Sequence, residues 1–408
     1  MHPRSTSLDK AALLMERGAI IPNPYTIDIG DDVDLARISA VGLTLFPGCR
    51  IYGARTVISS GATLGAEAPV TIEDCCLGRT VELKGGYFRR SVFLDRATVG
   101  SGAQVREGCL LEEEAGGAHC VGLKQTILFP FVTLGSLVNF CDCLMAGGTS
   151  RTDHSEVGSS YIHFNYTPDG DKSTASLFGD VPRGVMLNQP PIFLGGQGGA
   201  VGPVRVEYGT VVAAGSILHH DVLAKGRLVS SPPAPAFERE RHARAYGDLG
   251  RVVRNNVLYL ANLVALEEWY KKVRRISFAR QEFGEAVHAG ALDVLAAAKE
   301  ERAKRLLTLA EKVPVTKAAG RHFRERADEL CAVFGAPSRP AGSEEERFVA
   351  GFSSAATEVA DGGYVETIQS LTRALSALGV EWLQQVVDAL VGEADALLPE
   401  LGLQPGQQ

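Results

Sequence analysis

The sequence has no long apolar run, no excess of positive charge and few aromatic residues. The absence of a run of about 18 apolar residues and the polar start of the chain argue against a membrane span and an export signal. The formal net charge is -7 and aromatic residues make up 7% of the 408 residues, which argues against a generally basic or base-stacking nucleic-acid surface. We therefore expect a cytoplasmic protein that binds neither membranes nor nucleic acids.

The sequence also lacks the spacings of a disulfide framework or a paired Cys-x-x-Cys zinc site. Its eight cysteines are scattered, and its histidines show no tight ligand spacing. Cys141, Asp142 and Cys143 are the exception, because alternation along a strand would place both thiols on one face as a soft metal site. Two small buried residues explain the same pattern, so we expect free thiols and no metal.

Composition divides the chain in two. Residues 20–236 are rich in Gly, Val, Ile, Thr and Pro, whereas residues 237–408 are rich in Ala, Leu, Glu, Arg and Lys. A Pro-rich stretch lies at the joint and is typical of a stiff linker. We therefore predict an N-terminal segment (1–36), a repeat domain (37–230), a linker (231–237) and a helical domain (238–408).

A period of six residues runs through the first part. The large apolar row is Val81, Tyr87, Phe93, Val99, Val105 and Leu111, and the small row four places later is Gly85, Ser91, Ala97, Ala103 and Cys109. This period fits neither a helix nor an alternating strand and is typical of a hexapeptide β-helix, whose large residues fill the coil while small ones fit its corners. The alternative, chance alternation in a β-sandwich, does not explain small residues at one offset.

The register of the hexads changes between runs, which predicts insertions near residues 77–80, 112–126, 145–156 and 165–192. Insertions in a solenoid become external loops, and such loops often carry binding residues. Beyond the linker, helical patterns cover residues 252–276, 285–313, 321–334, 364–378 and 380–398. The predicted fold is therefore a β-solenoid, a parallel β-helix, followed by a C-terminal α-helical domain.

The most polar part of the repeat domain carries a recognisable motif. Residues 157–166 read Val-Gly-Ser-Ser-Tyr-Ile-His-Phe-Asn-Tyr, and Asp169, Gly170 and Lys172 follow. This motif resembles the C-terminal acetyltransferase domain of bifunctional N-acetylglucosamine-1-phosphate uridyltransferases, where Ile-Gly-x-Gly precedes Asn-Tyr-Asp-Gly and a lysine. Residues 212–217 are similar to the final hexads of that family, which help to bind acetyl-CoA. The resemblance implies a left-handed β-helix that assembles as a homotrimer and binds a sugar or nucleotide sugar.

The resemblance also assigns roles to individual residues. For substrate binding it implies Asn165, Tyr166 and Lys172, and for acetyl-CoA or another acyl-CoA it implies Ala213, Ala214 and Ser216. It does not supply the base, because Ser136 stands where the family has its catalytic histidine, and the distance from Gly135 to Asn165 is about one hexad too long. The Gly-rich signature of the family's uridyltransferase half is absent, so sugar-nucleotide synthesis is not expected.

The base has to come from another histidine of the polar segment. Acyl transfer from a thioester needs a base that works near neutral pH, which suits histidine. The candidates are His154, with Asp153 beside it, and His163, and each is alternatively a loop residue with a structural hydrogen bond. Arg183, in a long Pro-rich stretch, is the candidate for binding an anion.

Two functions follow from these residues. The first is a CoA-dependent acyltransferase acting on an amine or hydroxyl of a sugar or nucleotide sugar. The second is a non-catalytic trimeric scaffold that keeps the sugar-binding loop but has lost the base. The dense polar segment favours the first, and Ser136 favours the second.

Overall fold

Residues 20–229 form a parallel β-solenoid whose coils have three faces. The computed structural model describes residues 3–231, 235–238, 240, 243, 246–335, 342–359 and 363–404. Each coil passes from face 1 to face 2 to face 3, and strands of one face pair in parallel from coil to coil. Faces 2 and 3 join into one sheet because Gly122–Leu128 and Asn139–Met145 run across the corner between them. The predicted parallel β-solenoid is thus confirmed.

The strands are short and evenly distributed over the faces. Face 1 contains Thr44–Leu45, Thr63–Leu64, Glu82–Leu83, Thr98–Val99, Gly116–Gly117, Thr133–Leu134, Glu156–Val157, Phe193–Leu194, Val211–Val212 and Leu228–Val229. Besides the crossing strands, face 2 contains Asp28–Ile29, Arg50–Tyr52, Val70–Glu73, Gly86–Arg89, Ala103–Val105, Ile162–Phe164, Gly199–Val201 and Ile217–Leu218. Face 3 contains Val57–Ile58, Cys76–Leu77, Ser91–Phe93, Cys109–Leu111, Ser176–Phe178 and Arg205–Val206.

The hexad rows correspond to side chains that fill the coil. Phe93 aligns with Leu77 in the coil before and Leu111 in the coil after, and all three are buried. Tyr87 departs from the prediction: its hydroxyl donates to Glu73 outside the coil, because Phe88 takes the inward position. The hexad period is therefore an average that individual coils shift by one residue.

Coil length explains two of the register changes. Thr63 pairs with Glu82, and Glu82 pairs with Thr98, so successive coils have 19 and 16 residues. Residues 77–80 and 112–126 pass through ordinary coil, and the insertions predicted there are wrong. The insertions near 145–156 and 165–192 are confirmed: an antiparallel hairpin, Gly148–Ser150 with Asp153–His154, and the loops 165–175 and 179–191 leave the coil there.

The insertions lie at two of the three corners. We call the corner between faces 1 and 2 corner A, that between faces 2 and 3 corner B, and that between face 3 and the next face 1 corner C. Loop 165–175 connects face 2 to face 3 and so lies at corner B. The hairpin and loop 179–191 both connect face 3 to face 1 and lie at corner C.

One helix precedes the solenoid and one short helix interrupts it, and the remaining helices form the predicted C-terminal helical region. In chain order, the helices are α1 (Pro3–Glu16), α2 (Val181–Gly184), α3 (Leu249–Trp269), α4 (Arg275–Phe278), α5 (Gly284–Lys312), α6 (Ala318–Val333), α7 (Ser343–Glu358), α8 (Tyr364–Ser370) and α9 (Arg373–Leu397). A π-helix, Tyr270–Arg274, joins α3 to α4, and single 3-10 turns lie at Pro24–Thr26, Leu35–Arg37 and Pro399–Leu401. Of the predicted linker, residues 232–234 lie outside the described residues. No helix in the described part of the chain is long and apolar enough to cross a bilayer.

The helical region covers face 3. Alternation along a strand points the residue before each inward side chain away from the coil. On face 3 these outward residues are apolar and buried: Val57, Cys76, Val92, Leu110, Ile127, Leu144 and Leu177. Helix α5 approaches them so closely that a Cβ on Gly290 would lie 2.6 Å from Sγ of Cys76. Face 3 is therefore internal, and the main contacts of the C-terminal helices with solenoid strands in the described chain are on this face rather than on faces 1 and 2.

Helix α1 closes the N-terminal end of the solenoid. Nζ of Lys10 donates to the carbonyl oxygens of Gly30 and Val33, and Ala11 and Leu14 are fully buried. Pairing begins at Ile20, which bridges Thr44 on face 1. Helix α1 thus acts as the cap with a polar outer face that a repeat protein needs at its end.

Candidate active site

The residues singled out in the sequence lie at different places around the coil. Asn165, Tyr166 and Lys172 lie in loop 165–175 at corner B. His154 and Arg183 lie in the insertions at corner C. The structure therefore brings the loop residues together and separates them, within one chain, from His154 and Arg183.

Loop 165–175 is fixed by its own hydrogen bonds at both ends. The amide of Lys172 donates to Oγ1 of Thr167 at 3.1 Å, and the amide of Ser173 donates to Oδ1 of Asp171 at 3.1 Å. Lys172 has a φ of 56°, a left-handed conformation that closes the loop. Tyr166 lies at the tip and is 72% exposed. The loop thus presents an aromatic side chain on an ordered backbone.

Asn165 lies at the base of the loop and contacts the preceding coil. Its Nδ2 donates to Oδ2 of Asp142 at 2.8 Å. The other carboxylate oxygen of Asp142 accepts from Nη2 of Arg302, on α5, at 2.7 Å. Asp142 and Arg302 are both buried, so Asn165 belongs to a buried network that includes the helical region.

His163 lies inside the coil. Its register partner is Ala200, an inward residue, and its ring packs edge-on to Phe140 and Phe178. Nε2 lies 2.7 Å from Oγ of Ser176. Burial lowers the pKa of His163 to about 4, so the ring is neutral at pH 7. The same burial closes the ring to a substrate.

His154 is more accessible. It forms the hairpin pair with Gly148, its side chain is 20% exposed, and its Nε2 lies 3.9 Å from Oε2 of Glu156. Its Nδ1 has no hydrogen-bond partner among the described residues. Asp153 does not orient the ring, because its carboxylate accepts from Oγ1 of Thr149 at 2.7 Å. Glu156 thus places a carboxylate beside the His154 ring.

Arg183 is neutralised by its own neighbours. Its Nε donates to Asp180 at 2.6 Å, its Nη2 donates to Oε2 of Glu207 at 2.8 Å, and its guanidinium lies over the ring of Tyr208. These groups border a cavity of about 190 Å³ between the solenoid and helices α3 and α9. With two carboxylates bound to it, Arg183 presents no net positive charge to an anion.

Corner A carries the residues that the resemblance links to acyl-CoA. Ala214 is exposed, whereas Ser216 is buried and its Oγ accepts from the amide of Ser231. Ser136 lies at the same corner, where its carbonyl oxygen accepts from the amide of Ser160 in the next coil. The residues implied for acyl-CoA binding and Ser136 thus lie along the same corner of the solenoid.

Among the described residues, no three His, Cys, Asp or Glu side chains lie close enough together to bind a metal ion. Cys141 and Cys143 are buried free thiols, and burial raises the pKa of Cys141 to about 11. They are small buried residues of the solenoid rather than an exposed thiolate pair.

Sequence reasoning missed the charged residues buried between the solenoid and the helices. Arg302 reaches Asp142, and Arg274 donates to Oε1 of Glu113 at 2.6 Å. Tyr270 donates to the carboxylate of Glu112. Asp142 and the Glu112-Glu113 pair, acidic residues next to apolar strand residues, could have indicated buried ion pairs. Their partners lie about 160 positions further along the chain, so the sequence did not identify them.

Curated proteins with similar sequences are bifunctional GlmU proteins. The chain is 28% identical over 248 residues to GlmU of Nitratidesulfovibrio vulgaris (strain DP4), which covers 57% of this chain and 48% of that protein. It is 28% identical over 205 residues to GlmU of Clavibacter sepedonicus, covering 50% and 36%. The resemblance to hexapeptide-repeat acetyltransferases is confirmed. The chain spans about half the length, or less, of these relatives, and no family model matches it.

Two solved structures match the chain only distantly. The UDP-N-acetylglucosamine acyltransferase from Campylobacter jejuni is 14% identical, covers 77% of this chain and 93% of its own, and has a TM-score of 0.18. LpxA from Acinetobacter baumannii is 13% identical, covers 70% and 92%, and has a TM-score of 0.16.

Proposed function

We propose that this protein is an acyl-CoA-dependent acyltransferase whose acceptor is an amine or hydroxyl of a sugar or nucleotide sugar. The observation that carries the proposal is the ordered loop 165–175, which keeps Asn165, Tyr166 and Lys172 and presents Tyr166 to solvent. Sequence similarity to a GlmU protein, which extends over 57% of this chain, also supports the proposal.

Self-association would complete the site. Exposed apolar side chains lie at corner A and on both faces beside it: Leu137, Phe193, Val211, Leu228, Ile162, Phe164 and Val201. Burying this patch in a closed homotrimer places corner A toward the symmetry axis and packs face 2 of one subunit against face 1 of the next. Corner B of one subunit then meets corner C of its neighbour at the outer edge of the interface.

That arrangement would bring the substrate-binding candidates at corner B close to His154 at corner C of the neighbouring subunit. Loop 165–175 of one subunit would face the hairpin that carries His154 in the next subunit. His154 would take the proton from the acceptor nitrogen or oxygen, which attacks the thioester carbonyl; the carbon–sulfur bond breaks and the CoA thiolate takes up the proton. The donor would lie along corner A, beside Ala213, Ala214 and Ser216, at the inner end of the same interface.

Mixed trimers test the shared site directly. His154→Ala and Asn165→Ala subunits are each expected to be inactive, whereas co-expressing them restores roughly a quarter of wild-type turnover, because every mixed trimer contains one intact site. His322→Ala, a surface histidine of the helical region, serves as the matched control. Acyl transfer is measured by mass spectrometry with acetyl-CoA and UDP-N-acetylglucosamine. Full activity of His154→Ala would show that the base is another residue.

The second candidate is a trimeric scaffold that binds a nucleotide sugar without catalysis. It is favoured by the burial of His163 and by Ser136 at the family's histidine position. Thermal unfolding separates the two, since a ligand that binds only the folded state raises the midpoint. A shift with UDP-N-acetylglucosamine and none with acetyl-CoA or CoA supports the scaffold and contradicts the transferase.

A further inference from the structure

The helical region contacts loop 165–175 at several points. Nζ of Lys312 donates to the carbonyl oxygen of Asp169 at 2.5 Å. Nδ2 of Asn256 donates to the carbonyl oxygen of Ser173 at 3.0 Å, and Oγ of Ser173 donates to the carbonyl oxygen of Arg305 at 3.0 Å. Helices α3 and α5 therefore hold the main chain of the loop rather than merely lying near it.

A further contact is indirect and passes from Arg302 through Asp142 to the base of the loop. Its side chain is 3% exposed and donates to one oxygen of Asp142, while Asn165 donates to the other. Asp142 has a φ of 59°, so the turn at corner B directs this carboxylate outward to both donors. Two donors on one buried carboxylate fix the position of Asn165 relative to α5.

We propose that Arg302 is a positioning residue, which sets the acceptor-binding geometry of Asn165 and Tyr166 by clamping Asp142 from α5. This inference rests on the proposed function, because it makes the helical region part of the acceptor site. Arg302 does not touch substrate; it acts through Asp142 and Asn165. The helices thus hold the loop in one position relative to the solenoid.

The position of Arg302 on α5 provides a matched control. Arg305 lies one turn further along the same helix, and its guanidinium donates to Glu301 on α5 itself. Its carbonyl oxygen accepts from Ser173, but a side-chain substitution leaves that bond in place. Arg305→Met therefore removes the same charge from the same helix without releasing the loop.

Removing Arg302 alone leaves the Asp142 carboxylate buried without its cation, which endangers folding. The informative variant is the double substitution Arg302→Met with Asp142→Asn, because it removes both charges while the new amide oxygen still accepts from Asn165. Arg302→Lys is the conservative variant, which keeps the charge and one of the donors.

The test compares acceptor and donor parameters. For the double variant we expect KM for UDP-N-acetylglucosamine to rise roughly 10- to 100-fold with KM for acetyl-CoA unchanged, since small misplacement of a binding group costs this much. We expect Arg302→Lys to recover part of the loss and Arg305→Met to behave as wild type. Hydrogen exchange of the loop amides, measured without ligand, should accelerate in the double variant and stay unchanged in Arg305→Met.

The outcomes distinguish the two proposals. If wild type neither binds nor acylates UDP-N-acetylglucosamine, the proposed function is wrong, and the positioning role falls with it. If wild type is active and the double variant keeps the same KM, the proposed function stands and the positioning role is overturned. Equal rises in the KM of acceptor and donor would also overturn it, because that result indicates general loosening.

Discussion

The buried ion pair between Arg274 and Glu113 should dominate the docking of the helical region on the solenoid. Nη2 of Arg274 donates to Oε1 of Glu113 at 2.6 Å, and the two side chains are 1% and 5% exposed. The guanidinium carbon also lies 3.6 Å from the ring centre of Tyr364. Arg274→Met leaves the Glu113 carboxylate buried without its cation, which costs about 3–5 kcal/mol.

Tryptophan fluorescence gives a local readout of this loss. The chain has two tryptophans, Trp269 and Trp382, and both lie in the helical region with ring centres 6.2 Å apart. We expect Arg274→Met to lower the free energy of unfolding in urea, followed by this fluorescence, by about 3–5 kcal/mol. Arg275→Met, one residue along and exposed, should change it by less than about 0.5 kcal/mol.

A double variant separates the ion pair from general packing. Adding Glu113→Gln to Arg274→Met removes the stranded charge, so part of the lost stability should return. Arg274 leaves two of its own nitrogens, Nε and Nη1, without hydrogen-bond partners among the described residues, which already weakens the pair. If Arg274→Met unfolds at the same urea concentration as Arg275→Met, the pair does not stabilise the docked state and the reasoning is refuted.

Two further predictions concern stability. Burial raises the pKa of Glu112 to about 7, so this group destabilises the fold as pH rises from about 4.5 to 7. Burial lowers the pKa of His163 to about 4, so this histidine destabilises the fold as pH falls from about 6.5 to 4. Glu112→Gln removes the first effect, and its urea midpoint should therefore fall more steeply on acidification than that of wild type; equal slopes would contradict the assignment. Gly290→Ala should lower the thermal midpoint because its Cβ would lie 2.6 Å from Sγ of Cys76, whereas Gly392→Ala, with nothing nearer than 3.9 Å, should stabilise by about 0.5–1 kcal/mol. Stabilisation by both substitutions would show that α5 is not packed tightly on face 3.

The solenoid could be predicted because its signal is repeated many times along the chain. Each coil places a buried side chain such as Phe93 or Leu111 at the same point, so errors in one coil do not hide the period. The error at Tyr87 arises from a coil of 16 residues, which moves Phe88 inward. A strict count of six cannot anticipate such a shift, since corners differ in length.

The covered face also had a signal in the sequence. Face 3 strands carry two apolar residues in succession, as in Val92-Phe93, Leu110-Leu111 and Ile127-Leu128, whereas face 1 strands begin with polar residues in most of the coils before 193. A strand that is apolar on both sides is buried on both sides. Paired apolar residues in a hexapeptide repeat therefore predict a face under another domain.

The candidate site was less predictable because its residues are joined by geometry rather than by spacing. His154 and His163 are nine positions apart, yet one lies in an external hairpin and the other inside the coil. Arg302 has no motif of its own and gains its role from Asp142, which lies 160 positions away. Neither fact follows from local sequence.

In the proposed function, the helical region is part of the acyltransferase and not an appendage. Helix α5 covers Cys76 and Val92 on face 3 and also reaches Asp142 at corner B through Arg302. Because one rigid helix makes both contacts, any movement of α5 away from face 3 also releases Asn165 from its fixed position. The same packing leaves faces 1 and 2 as the open sides of the solenoid, and these are the sides that would meet in the proposed homotrimer around corner A. In the proposed function, the helices would thereby determine which edge is left for assembly and which loop is held in place for the acceptor.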